Sequence, residues 1–417
     1  MLILSRRRPK CVSGIFNMKT FPRLLPIATC FVLLCCKPDV NPPKEKPFSK
    51  VMVFCSVGYD IISAKMQEDI EELITGVDAS ERTPFSISEA LPEKGTDMVL
   101  LSIVHFPEKF GHFCDTDPSY LIQYSFDKER HEIVRDTLKT YSGLWLTEPS
   151  TLNSIFKTIE YLYPSDHYGL VFSSHGTGCL PPLYTQDHDT RSIGYELGPN
   201  LHAHEMDIRS FPSAVALRLD YLILDACFMG GIEPVYEFSD MAPYIVASPA
   251  IVPSTGFDYS KLLSRLLCDG EPDVKGVAQD YFHLYADKGL NACVSMVKTA
   301  ALPSLAALCK EIFAKYADKF PIIKGSDVQP MTSKEMRWLY DFGDIVRKCP
   351  GISQSDKDRF QMALDDVVVY KDSTPGIDDF NVVSFCGLNS LLPSAADEQL
   401  KAYYRTLAWN KDTGFIQ

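Results

Sequence analysis

Residues 168–179, YGLVFSSHGTGC, decide how this sequence is interpreted. An apolar run ends there at two serines, and a histidine followed by glycine comes directly after them. Residues 221–231, YLILDACFMGG, have the same form, because a second apolar run ends at Asp225-Ala226-Cys227. The carboxyl ends of neighbouring parallel strands meet at one edge of a sheet, where ligands bind. We therefore expect His175 and Cys227 to lie close together.

Three further apolar runs determine the predicted fold class. They are residues 50–60, 97–106 and 242–250, and helical patterns at residues 62–76 and 150–165 lie between the runs. The runs are continuous rather than alternating, which is typical of strands covered on both faces. The sequence therefore predicts an α/β fold, with a mainly parallel sheet and helices on both faces.

The sequence becomes mainly helical from residue 266 onward. Its helical patterns lie at residues 274–289, 303–320, 333–349 and 355–370. Two late apolar runs, ACVSMVK (292–298) and NVVSFCGLNSLLP (381–393), indicate that this region packs on the sheet or extends it. We therefore divide the folded part into a sheet domain, residues 49–265, and a C-terminal, mainly helical region, residues 266–417.

The first residues have the features of an export signal. A short basic segment begins at Met18, and an apolar run too short to span a membrane ends at Cys36. Residues 1–36 are predicted to be a signal peptide with Met18 as the true start, and the proline-rich residues 37–48 a tether. The LLCC ending is similar to a bacterial lipobox. It predicts that Cys36 carries a lipid that anchors the protein to the cell envelope; plain secretion is the alternative.

Composition narrows the class of protein. The 417 residues are 46% hydrophobic and 23% charged, as in ordinary globular proteins. The net charge of −13 disfavours binding to the phosphate backbone of nucleic acids. His202, His204 and Glu205 lack the HExxH spacing of a zinc peptidase, so we expect them at the surface. The sequence also lacks the G-x-S-x-G motif of many serine hydrolases.

The two strand ends carry the residue types of a cysteine nucleophile and its base. An imidazole next to a thiol favours the thiolate, which is the nucleophilic form. Gly176 lets the backbone approach a substrate carbonyl, and its N–H and that of Cys227 would form an oxyanion hole. Asp225 lies two residues before Cys227, so in extended chain both side chains leave the same face. Its carboxylate is therefore predicted to orient a neighbour or to meet a cationic substrate side chain.

Longer motifs extend this interpretation. FSSHGTG, LDACFMGGIEPVYEF and YIVASPAIVPSTGFDYSKLL closely resemble the clostripain-like cysteine peptidases, relatives of gingipain, legumain and caspases. The resemblance implies a caspase-like α/β sandwich, with residues 49–265 as the peptidase domain. It also implies an endopeptidase that works through an acyl-enzyme intermediate and prefers Arg or Lys before the cleaved bond.

The resemblance also indicates where the pocket and any cofactor would be. SPAIVPSTGFDY lacks the acidic residue that often follows SP in relatives, which leaves Asp225 and Asp258 as candidates for the substrate pocket. The sequence requires no cofactor. Some relatives need calcium, and the chain offers acids but no recognisable calcium loop, so a metal stays open. The acids considered are Asp187, Asp189, Asp378 and Asp379.

Self-processing is the last expectation. Residues 180–200, between the two motifs, are rich in polar residues, proline and glycine and are predicted to form an exposed loop, where proteolytic nicking concentrates. They contain one basic residue, Arg191, and relatives are often matured by self-cleavage in this part of the chain. We therefore expect cleavage between Arg191 and Ser192. The alternative to a peptidase is a catalytically inactive, lipid-anchored binding protein on the same scaffold.

Overall fold

The computed structural model describes residues 48–60, 62–107, 117–184, 192–198 and 202–417. The predicted signal peptide, the lipidation site Cys36 and Arg191 lie outside these residues, as does the predicted tether except for its last residue. In the described part of the chain no helix is long and apolar enough to cross a membrane.

The strands are numbered in chain order. They are β1 (Lys50–Tyr59), β2 (Met98–His105), β3 (Ser119–Asp127), β4 (Glu132–Tyr141), β5 (Tyr168–Ser174), β6 (Ile193–Leu197), β7 (Ala203–Met206), β8 (Tyr221–Asp225), β9 (Tyr244–Ala247), β10 (Cys293–Lys298), β11 (Leu339–Asp341), β12 (Val368–Ser373), β13 (Gly376–Ile377), β14 (Phe380–Asn381) and β15 (Asn389–Leu391).

The helices are numbered in the same way. They are α1 (Ser63–Thr75), α2 (Pro149–Leu162), α3 (Phe211–Val215), α4 (Ile232–Glu237), α5 (Tyr259–Leu266), α6 (Val274–Ala286), α7 (Leu302–Lys315), α8 (Phe342–Arg347), α9 (Gln354–Val367), α10 (Glu398–Tyr404) and α11 (Ala408–Thr413).

A large mixed sheet organises the chain, in the order β12-β10-β9-β8-β5-β1-β2-β3-β4. Its centre, from β9 to β2, is parallel, and the strands added at both ends are antiparallel. The sheet is therefore mainly parallel where the five apolar runs predicted it to be. β10 and β12 come from beyond residue 266, and the predicted boundary between residues 265 and 266 falls within α5. The C-terminal region thus completes the sheet.

Helices cover both faces of the sheet. Val51, Val53 and Cys55 of β1 belong to one apolar core, which residues of α2, α7 and α9 complete. Met52 and Phe54 belong to the opposite core, together with residues of α1, α5 and α6. Alternate residues of one strand therefore enter two different cores, which explains why the apolar runs are continuous. The predicted α/β sandwich is confirmed.

One helix predicted for the C-terminal region is wrong. Residues 333–349 do not form one helix: a strand, β11, precedes α8, whose first turn is capped by Asp341 through a hydrogen bond from the Asp344 N–H (2.7 Å). The run at residues 381–393 packs on the large sheet and does not join it: Leu388 and Leu391 lie in the same core as Val51 of β1, while β14 pairs with β13 and β15 with β11. The strands of this region that extend the sheet are β10 and β12.

The predicted loop at residues 180–200 contains a strand. β6 pairs with the end of β1 and with β7, which is formed by residues 203–206. Glu196 of β6 is fully buried, and its carboxylate pairs with His105 (2.5 Å) and accepts from the Thr147 N–H (2.8 Å). A buried acid with fixed partners is polar in sequence, which is why hydropathy missed this strand.

Candidate active site

The register of β5 and β8 brings the two motifs together. The strands are parallel neighbours, and Ser173 lies opposite Asp225. His175 and Cys227 each follow this pair by two residues, so they leave the sheet at the same level. Both line one cavity of about 460 Å³ at the carboxyl edge of the strands. The expectation that two strand ends deliver these side chains to one place agrees with this geometry.

Gly176 lies against the backbone of the Cys227 motif. A Cβ atom added at this position would be 2.6 Å from the carbonyl oxygen of Cys227 and 3.1 Å from the Cβ atom of Ala226. Any larger residue would therefore push the histidine strand and the cysteine strand apart. The glycine of the His-Gly motif is required by this close approach of two backbones.

Cys227 is half-buried, and its sulfur is held by the segment that follows β9. The Val252 N–H points to Sγ at 3.3 Å. A backbone donor at this position suits a negatively charged sulfur. The next residue, Phe228, has a positive φ of 62°, which is unusual for a side chain of this size. The backbone therefore turns sharply directly after the cysteine.

His175 is oriented by a carboxylate at the end of a third strand. Its Nε2 atom lies 2.9 Å from Oδ2 of Asp60, which follows β1 directly. The Asp60 side chain is 2% exposed and that of His175 20% exposed. Because an ionised carboxylate only accepts hydrogen bonds, Nε2 carries the proton and Nδ1 is the basic nitrogen. The ring of Tyr195 meets the imidazole edge-on, at 5.7 Å between ring centres.

Sequence reasoning missed Asp60, although the signal was present. The apolar run VMVFCSVGYD ends in an acid, just as the other two runs end in His175 and Cys227. β1 lies beside β5 in parallel, so its end reaches the same edge of the sheet. The rule that found the two predicted residues would have found the third.

Asp225, the last residue of β8, lines the same cavity as Cys227. The side chain is buried, and Oδ2 accepts a hydrogen bond from the hydroxyl of Tyr259. Gly256, in a left-handed conformation, leaves room for it: a Cβ there would be 2.3 Å from Oδ2. Burial raises the pKa of Asp225 to about 6, although hydrogen bonds from Tyr259 and Phe257 oppose the shift.

A second buried acid, Asp69 of α1, lies within electrostatic reach of Asp225. Burial is the larger cause, and the negative charge of Asp225 the next, of a pKa of about 9 for Asp69. Asp69 is therefore protonated at neutral pH, while Asp225 is mostly ionised. Of these two acids, Asp225 carries the negative charge at neutral pH.

The structure places Asp258 in a different cavity, which corrects the expectation that it lies at the rim of the same pocket. The second cavity has about 320 Å³ and is lined by Asp258 together with Glu72, Asp78 and other residues. The Asp258 carboxylate pairs with Lys261 (2.7 Å) and accepts from the hydroxyl of Ser260 (2.6 Å). The Asp–Lys spacing of one helical turn explains this local pairing.

The remaining predicted residues divide between described and undescribed parts of the chain. Ser192 is fully buried, and its backbone N–H donates to Oε2 of Glu205 (2.9 Å). His204 stacks on Trp145 (4.2 Å between ring centres). The described residues contain no group of three or more potential metal ligands. Among the acids considered for calcium, Asp379 pairs with Lys334 (3.7 Å), and Asp187 and Asp189 lie outside the described residues.

Comparisons with known proteins agree with this architecture. The model of the clostripain family matches residues 66–414. Among solved structures, an inactive zymogen C11 protease from Parabacteroides distasonis is 24% identical, with a TM-score of 0.71, and the match covers 88% of this chain and 99% of that one. A secreted C11 cysteine protease from Bacteroides thetaiotaomicron, in complex with an irreversible peptide inhibitor, is 21% identical, with a TM-score of 0.69 and coverage of 88% and 98%. No curated protein matches the chain.

At these identities the two solved structures establish the fold, which is that of C11 proteases. The family model is the stronger finding, because it spans most of the chain and both motifs. The chain belongs to the clostripain family of cysteine peptidases.

Proposed function

We propose that the protein is a cysteine endopeptidase in which Cys227 is the nucleophile, His175 is the base, and Arg or Lys precedes the cleaved bond. The observation that carries this proposal is the register of β5 and β8, which sets both side chains at the same level of one cavity. The hydrogen bond of His175 to the buried Asp60 supports it, because it leaves Nδ1 as the basic nitrogen.

The chemistry proceeds in two steps on this arrangement. His175 takes the proton of the Cys227 thiol, and the thiolate attacks the carbonyl carbon of the peptide bond. The N–H groups of Gly176 and Cys227 stabilise the oxyanion, and His175 protonates the leaving amine. A thioester between substrate and Cys227 remains. Water, deprotonated by His175, then attacks the thioester, and the carboxylic acid product and the thiol are released. Asp60 stabilises the imidazolium that forms in both steps.

Asp225 supports the preference for a basic residue. Among the described residues no Lys or Arg forms an ion pair with its carboxylate, and burial raises the pKa of Asp225. Lys65, which also lines the cavity, is paired with Glu68 (2.6 Å). A substrate guanidinium or ammonium entering the cavity would supply the missing positive charge. Ile62, Met66 and Val252, which also line the cavity, would contact the apolar stem of that side chain.

Active-site labelling with a matched control tests the assignment. We expect an acyloxymethyl ketone with a Lys or Arg side chain to label the wild type at Cys227 and to abolish hydrolysis. Cys227→Ala should lose labelling and hydrolysis, and His175→Ala should lose ~10²–10⁴-fold in rate. Cys268→Ala, which removes another half-buried thiol, should keep full activity. Unlabelled, inactive wild type would favour the inactive binding protein, and near-full turnover in either active-site variant would contradict the dyad.

We also propose self-cleavage between Arg191 and Ser192. The position of Ser192 supports a stable product: its nitrogen lies 2.9 Å from the Glu205 carboxylate, so a new ammonium group there would form an ion pair. Because Ser192 is buried, this segment must open locally before the bond enters a cleft. N-terminal sequencing should find a terminus at Ser192 in the wild type and none in Cys227→Ala. An active wild type that stays a single chain would contradict self-cleavage.

Export and cofactor use are the remaining proposals. We propose that the chain is exported and lipidated at Cys36, so a clickable fatty acid should label the wild type and not Cys36→Ser. A soluble secreted product without lipid would favour plain secretion. We further propose that hydrolysis needs no cofactor. Activity should survive EDTA, and a loss restored by calcium would show that the metal alternative holds.

A further inference from the structure

We propose that Asn389, from the C-terminal region, is a positioning residue for the nucleophile turn, defined as residues 226–231. Its side-chain amide holds the backbone after Cys227 in the conformation that presents the thiol to the cavity. The inference rests on the proposed function in one respect, since it takes Cys227 as the nucleophile.

The nucleophile turn needs such support because its backbone is strained. Phe228 has a φ of 62°, in the left-handed region that disfavours residues with a Cβ atom. Its side chain is buried, so packing holds the residue in this conformation. Strained conformations of this kind persist when the surrounding structure fixes them, and they concentrate at functional sites.

Hydrogen bonds fix the turn from two sides. On one side, the N–H groups of Phe228 and Gly230 donate to the carbonyls of Ala250 and Ser248, each at 2.8 Å. On the other side, the Asn389 N–H donates to the Gly230 carbonyl at 3.0 Å. The turn therefore lies between the segment after β9 and β15.

The side chain of Asn389 makes the contact closest to the nucleophile. Its Nδ2 atom donates to the carbonyl of Phe228 (3.1 Å) and to that of Pro249 (2.7 Å). One amide group thus joins the nucleophile turn to the segment that forms the cavity wall. Two converging carbonyls require a group with two donors, which an asparagine amide has and a carboxylate lacks.

The other end of the Asn389 amide indicates that the side chain is there to hold the nucleophile turn, and not only to stabilise the fold. Asn389 is fully buried, yet its Oδ1 atom has no hydrogen-bond partner among the residues that the structure describes. An unpaired buried acceptor is costly. The two donated bonds therefore account for asparagine at this position, and they end on the turn and on Pro249, two residues before the cavity wall begins at Ile251.

The test compares Asn389→Asp with a control on the same strand. Aspartate keeps the shape and removes both donors, whereas Ser390→Ala removes a buried hydrogen bond to Glu233 (2.6 Å) that does not involve the turn. We expect Asn389→Asp to lower kcat by ~10–100-fold, because small displacements of reacting groups cost about that much, with KM within about twofold. Ser390→Ala should keep kcat. Asn389→Ala, which introduces no charge, should lose kcat to a similar extent if Asn389→Asp folds poorly.

Amide hydrogen exchange provides a readout that does not depend on activity. In both Asn389 variants we expect residues 226–231 to exchange at least about tenfold faster than in the wild type, and in Ser390→Ala to exchange at the wild-type rate. If kcat of the Asn389 variants stays within twofold of wild type, or if all variants accelerate exchange equally, the proposal is overturned. If the wild type cleaves no peptide, the proposed function fails, and exchange alone still decides whether Asn389 holds the turn.

Discussion

Two neighbouring cavities of this molecule are lined by parts of the same two segments of chain. They differ in whether the aspartate in the cavity is paired with a cation. The first, called the cleft, is the cavity around the proposed nucleophile Cys227, and it is lined by the start of α1 and residues 251–256. The second cavity is lined by the end of α1 and residues 255–261. Asp225 in the cleft is buried, and no described Lys or Arg forms an ion pair with it; Lys65, which also lines the cleft, is paired with Glu68 (2.6 Å). Asp258 in the second cavity is already paired with Lys261.

The difference shows what makes an acid available to a ligand. A carboxylate with an internal cation has little to gain from a second cation, and an exposed ion pair of that kind contributes at most about 1 kcal/mol. A buried carboxylate without a cation is destabilised by desolvation, and the attraction of a cationic substrate would offset that free-energy cost. Distance in sequence from Cys227 does not distinguish Asp225 from Asp258. The two acids differ in that Asp258 is paired with Lys261 and Asp225 has no such ion pair.

The largest effect should come from Asp60, the acid that contacts His175. Asp60→Asn removes the carboxylate that holds the proton on Nε2 of His175. We expect kcat to fall by at least ~10²-fold for basic and neutral substrates alike, since the change affects the chemical step and not the pocket. Steady-state kinetics with matched Arg and norleucine peptides check this. A loss confined to Arg substrates would mean that Asp60 belongs to the pocket.

The substitution Asp225→Asn should weaken hydrolysis of basic substrates and leave hydrolysis of neutral ones nearly unchanged. It removes the negative charge and keeps the size of the side chain, so hydrolysis of Arg and Lys substrates should fall ~10–100-fold, the value of one charge-assisted hydrogen bond. Neutral substrates should change by less than about threefold. A wild-type cleavage profile dominated by Asp or Asn would contradict the assignment before any variant is made.

The residues of the site differ in how far the sequence could predict them. Three strand ends at one edge follow from apolar runs alone, and that rule predicted His175 and Cys227 and should have included Asp60. Asp258 lies within the motif that carries the resemblance, and the motif does not show that Lys261 neutralises it. Asn389 lies within the apolar run at residues 381–393, and no local pattern connects it to Phe228. Contacts between distant segments depend on tertiary packing, which the strand rule does not describe.

The same comparison predicts a pH dependence of specificity. Burial raises the pKa of Asp225 to about 6, so the carboxylate gains a proton and loses its charge as the pH falls through that value. The ratio of kcat/KM for Arg over norleucine substrates should therefore drop by about tenfold between pH 7 and pH 5. An effect of pH on the chemical step is common to both substrates and cancels in the ratio. The ratio in Asp225→Asn should not change with pH over this range.

Asp69 should affect stability more than catalysis. Its pKa is about 9 in the folded protein and 3.8 for an ordinary aspartate, so between these values the native state binds a proton that the unfolded chain does not. Stability is therefore lost as the pH rises from about 4 to 9. Asp69→Asn removes this loss and should raise the free energy of unfolding by about 1–3 kcal/mol at pH 8, and by little at pH 4. Urea denaturation at the two pH values measures the difference, and an equal gain at both would contradict a protonated Asp69.

The smallest effect is expected from Asp258→Asn, the matched counterpart of Asp225→Asn. The carboxylate is engaged by Lys261 and Ser260, and it lines a cavity that does not contain Cys227 or His175. Its removal should change kcat/KM for Arg and Lys substrates by less than about twofold and the free energy of unfolding by at most about 1 kcal/mol. The measurement is the same pair of Arg and norleucine substrates used for Asp225→Asn. If Asp258→Asn weakened the Arg substrate as strongly as Asp225→Asn does, a substrate cation would have to displace Lys261. The two cavities would then act as one binding surface, and the distinction between a neutralised and an available acid would no longer explain specificity.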